Sequence, residues 1–167
     1  MKAFQINETG NFMTKLLSGG IFDSFLLEEA SLHMQVVWHL DGHLNMDFYS
    51  DEEREQPKLR GRTMALWGEV RSNLRTLLLG KKAPTSFTVV LHYPADLMKS
   101  ALSDASLSSL SDSIGAMVLT IRFDGTQVTL VSGISMRSFT LDKQADALWD
   151  DMVRRFLLEH EISFELP

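Results

Sequence analysis

Residues 115 to 141 read GAMVLTIRFDGTQVTLVSGISMRSFTL, and this stretch decides the fold class. Every second residue from Met117 to Phe123 is apolar, which is the period of a strand with one buried face. Asp124-Gly125 follows, and this pair favours a two-residue hairpin turn because both of its positions require a positive φ. The stretch therefore predicts an antiparallel β-hairpin.

A two-residue turn also predicts the register of the hairpin. It sets Phe123 opposite Thr126 and Ile121 opposite Val128, so that the apolar face continues across both strands. Gly133 is expected to end the second strand. A third strand from Ile134 to Leu141 then completes a three-stranded antiparallel meander, with its apolar side chains on one face.

The other segments predict a mixed α+β chain. Apolar patterns of period two favour strands over 31–40 and 86–92. Residues 2–6 are a short strand candidate, 21–28 are apolar enough for a strand, and 162–166 are expected to add an edge strand. Helical spacing favours a first helix that Asn7 caps and Gly19-Gly20 ends, a second over 63–79, a third around 97–102, and a final helix that Asp142 caps. Three tryptophans lie on these apolar stripes and are expected in the core: Trp38, Trp67 and Trp149.

A second hairpin is predicted over 31–49, with its turn at Asp41-Gly42. A two-residue loop would oppose Leu40 to a polar side chain, His43. A three-residue loop instead opposes Leu40 to Leu44, which keeps the apolar face continuous. We therefore expect a longer loop or a bulge at this turn.

The element order suggests an internal duplication. Residues 2–49 and 86–141 each predict a βαβββ unit, and their strand-plus-helix portions align at an offset of 85 positions, with Phe4 on Val89. Coincidence in an α+β chain is the alternative. The chain of 167 residues is interpreted as one domain, in which 50–84 forms a connector with a helix and 142–160 a C-terminal helix.

This chain resembles two protein families. The doubled βαβββ unit, with the run LTIRFDGTQVTLVSG at 119–133, resembles one domain of the DNA sliding clamps. That resemblance implies a clamp-like fold, but not encirclement of DNA, because the chain has only one such domain. The segments FDSFLLEEAS at 22–31, GKKAPTSF at 80–87 and FTLDKQADALWDDMVRRFL at 139–157 resemble a family of small bacterial proteins of unknown function. That second resemblance implies no activity.

The composition limits the cellular compartments and the kinds of chemistry that can be expected of this protein. The apolar share of 44% and the charged share of 23% are ordinary for a globular protein. The chain has no cysteine, which excludes disulfides and thiolate chemistry. It shows neither a signal-peptide pattern nor an apolar run of membrane-spanning length. We therefore expect a cytoplasmic protein without a membrane partner, and nothing in the sequence implies a cofactor.

The charge is unevenly distributed, and this asymmetry supplies the candidate binding residues. The segment from residue 54 to residue 82 contains eight basic and two acidic residues, so it carries +6 in a chain whose net charge is −6. Such a segment can contact the phosphates of a nucleic acid or an acidic partner, or it can be a solvated surface. The candidate residues are Arg60, Arg62, Arg71, Arg75, Lys81 and Lys82.

No motif identifies an enzyme. The histidines His33, His39 and His43 surround the predicted 31–49 hairpin together with Asp41 and Asp47, but their spacing matches no metal-site pattern. Nucleophile-elbow, zinc-protease and dinucleotide-loop motifs are absent. The sequence thus favours a non-catalytic binding module. The alternatives are a small enzyme with its site on the polar face of this hairpin, and a structural or oligomerisation protein.

Overall fold

A seven-stranded sheet organises the protein in a computed structural model that describes residues 1–167. The strands run in the order β3-β2-β4-β5-β6-β1-β7, and all neighbouring strands are antiparallel. The α+β class with a mostly antiparallel sheet is therefore confirmed. The strands are β1 Lys2–Ile6, β2 Leu26–His33, β3 Val37–Asp41, β4 Ser86–His92, β5 Ile114–Phe123, β6 Val128–Met136 and β7 Phe164–Glu165.

Five α-helices complete the fold: α1 Thr9–Leu17, α2 Asp51–Arg54, α3 Trp67–Leu78, α4 Ala95–Asp104 and α5 Gln144–Glu159. One hydrophobic core of 28 buried residues joins α1, α3, α4 and α5 to one face of the sheet, and α2 contributes no buried residue. On β4, for example, Phe87, Val89 and Leu91 are buried, whereas Thr88 and Val90 on the opposite face are partly exposed. The alternation of the sequence thus predicts correctly which face of this strand enters the core.

The β5–β6 hairpin forms, but its predicted register is wrong by two residues. Phe123 lies opposite Val128 and Ile121 opposite Leu130, so the loop has four residues. The Asp124 carboxylate closes this loop by accepting hydrogen bonds from two backbone N–H groups, those of Thr126 and Gln127, both at 2.9 Å. A shift of two residues leaves every side chain on the same face, so alternation cannot distinguish the two registers.

The third strand of the predicted meander is wrong. β6 continues through Gly133 to Met136, and the segment that follows is irregular. Phe139 and Leu141 are 89% and 83% exposed. The physical reason is competition for one edge, because β1 occupies the place beside β6, with Phe4 opposite Leu130.

The predicted 31–49 hairpin is also wrong. The chain turns at Met34–Val36, and β3 ends at Asp41, where the turn was expected. Leu32 lies opposite Trp38 on the same face of the sheet. The alternation of apolar and polar residues therefore continues through the turn and does not show where the turn lies. Residues 46–48 form a 3₁₀ turn instead of a strand.

Several predicted ends shift because of long-range contacts. α3 begins at Trp67 rather than at residue 63, because the preceding residues form bridges to Leu26 and His43. α1 begins at Thr9 and is not capped by Asn7, whose side-chain amide donates to the Ser163 hydroxyl at 2.8 Å. The predicted strand over 21–28 begins only at Leu26. The strands at 2–6 and 86–92 have the predicted bounds, and the edge strand near the C-terminus is present as β7.

The order of elements repeats, but not as predicted. A strand, a helix and two strands occur twice, as β1-α1-β2-β3 and β4-α4-β5-β6, so the third strand of each predicted βαβββ unit is missing. The two units also pair differently, since β4 lies beside β5 whereas β1 lies beside β6 and not beside β2. Duplication and the clamp-like fold stay predictions.

Candidate functional site

Two of the six candidate basic residues stabilise the fold. Arg62 binds both carboxylate oxygens of Glu69 at 3.1 and 2.6 Å and also donates to two backbone carbonyls. The Arg62 hydrogen bond lowers the pKa of Glu69, and a hydrogen bond from the Leu66 N–H at the start of α3 adds to the effect. Arg62 therefore ties the connector to the first turn of α3.

Arg71, in the second turn of α3, also forms an ion pair that stabilises the fold. Its guanidinium binds Asp23 at 2.7 and 3.2 Å and donates to the Leu17 carbonyl at 3.0 Å. The hydrogen bond to Asp23 raises the pKa of Arg71. This contact fastens α3 to the end of α1, and its charge is already balanced within the chain.

The other four candidates, Arg60, Arg75, Lys81 and Lys82, are exposed and form no ion pair. They do not form one patch. Arg60 lies on the connector near the start of α3, whereas Arg75, Lys81 and Lys82 lie at its other end, and a helix of 12 residues is about 18 Å long. The structure therefore brings only the last three together.

Arg75 lines an apolar groove of about 470 Å³, and Lys81 and Lys82 lie along the chain between two other lining residues, Leu79 and Ala83. We call the groove together with Arg75, Lys81 and Lys82 the basic groove. Its walls come from α1, the end of α3 and the strands β4 and β5, through Met13, Leu17, Leu78, Phe87 and Phe123, with Arg75 at the side. Leu79 also lines it and is 68% exposed. The arrangement offers positive charge next to apolar surface.

A polar cleft of about 410 Å³ lies along β2 and β3, on the side away from the turn that joins these two strands. Its walls include Glu28, His39, Asp41 and His43. The Nδ1 atom of His43 lies 2.6 Å from Asp41, and the backbone N–H of His43 donates to the same carboxylate oxygen at 2.9 Å. These two hydrogen bonds, the backbone one first, lower the pKa of Asp41.

A β-bulge between Leu27 and Glu29 turns Glu28 toward β4, where its carboxylate lies 2.6 Å from Nε2 of His92. The polar cleft thus contains the Asp41–His43 pair and, through Glu28, one member of a second pair of histidine and carboxylate, which is the combination that general acid–base chemistry uses. Glu28 and His92 are 64 residues apart, and no local signal in the sequence connects them. No group of three or more histidine or acidic residues is placed to hold a metal ion.

No pattern in the sequence indicates a third concave region, a cavity of about 460 Å³ between α4, α5 and the sheet. Four of its 13 lining residues are aromatic, and we call it the aromatic cavity. These four are Phe25, Tyr93, Trp149 and Phe156, and Asp104 and Glu159 line it at the ends of the two helices. Trp149 and Trp67 are buried as predicted, at 2% and 0% exposure. Trp38 is 43% exposed on the edge strand β3, so its predicted place in the core is wrong.

The comparisons assign a family to the chain and no activity. A family model matches residues 15–165, and the chain therefore belongs to DUF5721, a family of unknown function. This confirms the resemblance to a family without an assigned activity. No match was found among curated proteins or among solved structures. None of the helices has the length and apolar character needed to cross a membrane.

Proposed function

We propose that this member of DUF5721 is a non-catalytic, cytoplasmic binding module that holds an acidic protein segment in the basic groove. The observation that carries the proposal is the contrast among the six candidate cations. Arg62 and Arg71 are engaged inside the fold, whereas Arg75, Lys81 and Lys82 are exposed at one end of α3 without partners. Unpaired cations beside apolar walls suit a segment that carries both acidic and apolar side chains.

A nucleic acid is the less favoured partner. Nucleic-acid affinity comes mainly from neutralised phosphates, and three cations can neutralise only a few of them. The apolar walls formed by Met13, Leu78 and Phe87 would gain nothing from a phosphate backbone.

The test is fluorescence anisotropy at several salt concentrations with three labelled probes. These are a peptide that alternates glutamate with leucine, a single-stranded DNA and a double-stranded RNA. The variant carries Arg75→Glu, Lys81→Glu and Lys82→Glu. The matched control carries Lys58→Glu, Lys99→Glu and Arg154→Glu, which makes the same change of net charge at exposed positions elsewhere.

We expect the wild type and the control to bind the peptide, with an affinity that falls as salt rises, and the groove variant to lose at least tenfold in affinity, about 1.4 kcal/mol. Binding of the nucleic acids in preference to the peptide, with a salt dependence that the groove variant abolishes, would assign the groove to phosphates instead. No binding of any probe at low salt would overturn both forms of the proposal.

An enzyme with its site in the polar cleft is the second candidate. It is favoured by the two histidine–carboxylate pairs, Glu28 with His92 and Asp41 with His43. In this case substitution of His43 by Gln would abolish a turnover that the groove variant retains. We rank it second because the cleft has only two apolar lining residues with which to hold a substrate.

A further inference from the structure

The aromatic cavity has walls that are already in place. Four rings follow one another along it: Trp149, Tyr93, Phe25 and Phe156, with centroid separations of 5.2, 5.6 and 5.9 Å between successive rings. The indole N–H of Trp149 donates to the Val118 carbonyl at 2.8 Å, which fixes the orientation of this ring against the sheet. Tyr93 and Phe156 are partly exposed, whereas Trp149 and Phe25 are buried, so the first two supply the aromatic surface that the cavity presents without rearrangement.

The rim of the cavity is negative. Asp104 is the last residue of α4 and Glu159 the last residue of α5, and both are exposed without a hydrogen bond or an ion pair. Arg155 also lines the cavity, but its guanidinium binds Asp151 at 2.9 Å, so its charge is balanced. The carboxyl end of α4 adds its partial negative charge, whereas at the end of α5 Lys15 donates to the His160 carbonyl at 2.8 Å and offsets that charge. The cavity is thus left with an excess of negative charge at its mouth.

The hydroxyl of Tyr93 is the one polar group of the four aromatic walls that has no hydrogen-bond partner in the protein, since the Trp149 indole is already bonded. Burial, with a smaller contribution from the charge of Asp96, raises the pKa of Tyr93 above its usual value. The phenol therefore stays neutral at physiological pH. Its ring keeps the negative π face that attracts cations.

We infer that the aromatic cavity binds a small organic cation with an apolar body, of the class of quaternary or highly alkylated ammonium compounds. Such a cation has a diffuse charge that is weakly hydrated, so it can enter an apolar site and lie against ring faces. The unpaired Asp104 and Glu159 supply the opposite charge at the mouth. A volume of about 460 Å³ lies within the usual range for small-molecule sites.

The test uses two probes of equal shape that differ in charge. These are (3-hydroxyphenyl)trimethylammonium and 3-tert-butylphenol, in which a carbon atom replaces the nitrogen. Binding is measured by isothermal titration calorimetry with the full chain. The rim variant carries Asp104→Asn and Glu159→Gln, and its matched control carries Asp112→Asn and Glu52→Gln, two exposed positions outside the cavity. A third protein, Ala101→Leu, fills part of the cavity.

We expect the cation to bind wild type and control about tenfold more tightly than the neutral probe. The rim variant should lose most of this preference, and the filled variant should bind neither probe while it keeps the circular dichroism of the wild type. If the filled variant does not fold, the rim variant and its control decide the result. Equal or tighter binding of the neutral probe would overturn the inference, as would no binding of the cation at millimolar concentration.

Discussion

The dipeptide Asp-Gly occurs twice in this chain, at 41–42 and at 124–125, with the same local chemistry and different structural roles. In both places the carboxylate accepts a backbone N–H from a residue just downstream, His43 in one case and Thr126 in the other, each at 2.9 Å. Backbone hydrogen bonds lower the pKa of both aspartates: the one from His43 for Asp41, and those from Gln127 and then Thr126 for Asp124. Only the second pair lies in a hairpin loop.

The two glycines are needed for different reasons. Gly125 has a φ of +101°, a conformation that other residues adopt only with strain. Gly42 is buried at the end of β3, where a Cβ atom would lie 1.8 Å from the Leu27 carbonyl oxygen. This close approach also holds Asp41 and His43 beside the bulged Glu28 in the polar cleft. An Asp-Gly pair therefore predicts local hydrogen bonds, but it does not predict which strands pair on either side of it.

The largest effect is expected from Gly42→Ala. The added methyl group collides with backbone that the sheet fixes, so we expect a loss of about 3 kcal/mol or more in the free energy of unfolding. Urea denaturation followed by circular dichroism measures it. Gly10→Ala is the matched control, because a Cβ there meets nothing within 4 Å and lies in a helix, where alanine is preferred. Equal stability of the two variants would contradict the role of the close approach.

A smaller loss is expected from Gly125→Ala. The left-handed conformation costs roughly 1–2 kcal/mol for an L-residue, and the new Cβ would lie 2.9 Å from the Thr85 carbonyl oxygen. Gly61→Ala separates the two causes, since Gly61 has a φ of +74° and a Cβ there meets no atom within 4 Å. In thermal denaturation, the melting temperature of Gly125→Ala should be lower than that of Gly61→Ala. The reverse order would show that the contact with Thr85 is relieved at no cost.

The smallest effects concern the aspartates themselves, in Asp41→Asn and Asp124→Asn. Because both folded-state pKa values are lowered from 3.8, each carboxylate stabilises the fold above its unfolded pKa and loses this contribution as pH falls through the folded value. Each variant should be less stable than wild type at pH 7, and the difference should shrink toward zero below pH 3.8. Chemical denaturation across this range measures it, and a difference independent of pH would refute the assignment.

The sequence predicted the central strands well because their signal is local. The bounds of β1 and β4 and the buried face of β5 follow from alternation alone, and α5 follows from its apolar stripe. The candidate cations were predicted less well. Arg71 is bound by Asp23, 48 residues away, and no pattern within the basic segment reveals that partner. The aromatic cavity likewise joins residues from α4, β5 and α5 that are separated along the chain.

The pattern of residues along the chain specifies the period of each element, the face that β4 and β5 bury, and the asymmetry of charge. Long-range contacts specify which strand lies beside which, where the hairpins turn, and which cations remain free. The physical reason is that a period of two is unchanged by a register shift of two residues or by a turn of three residues within an alternating run. Strand pairing and ion pairing depend instead on residues far along the chain, as when β1 takes the edge of β6 that was expected for residues 134–141.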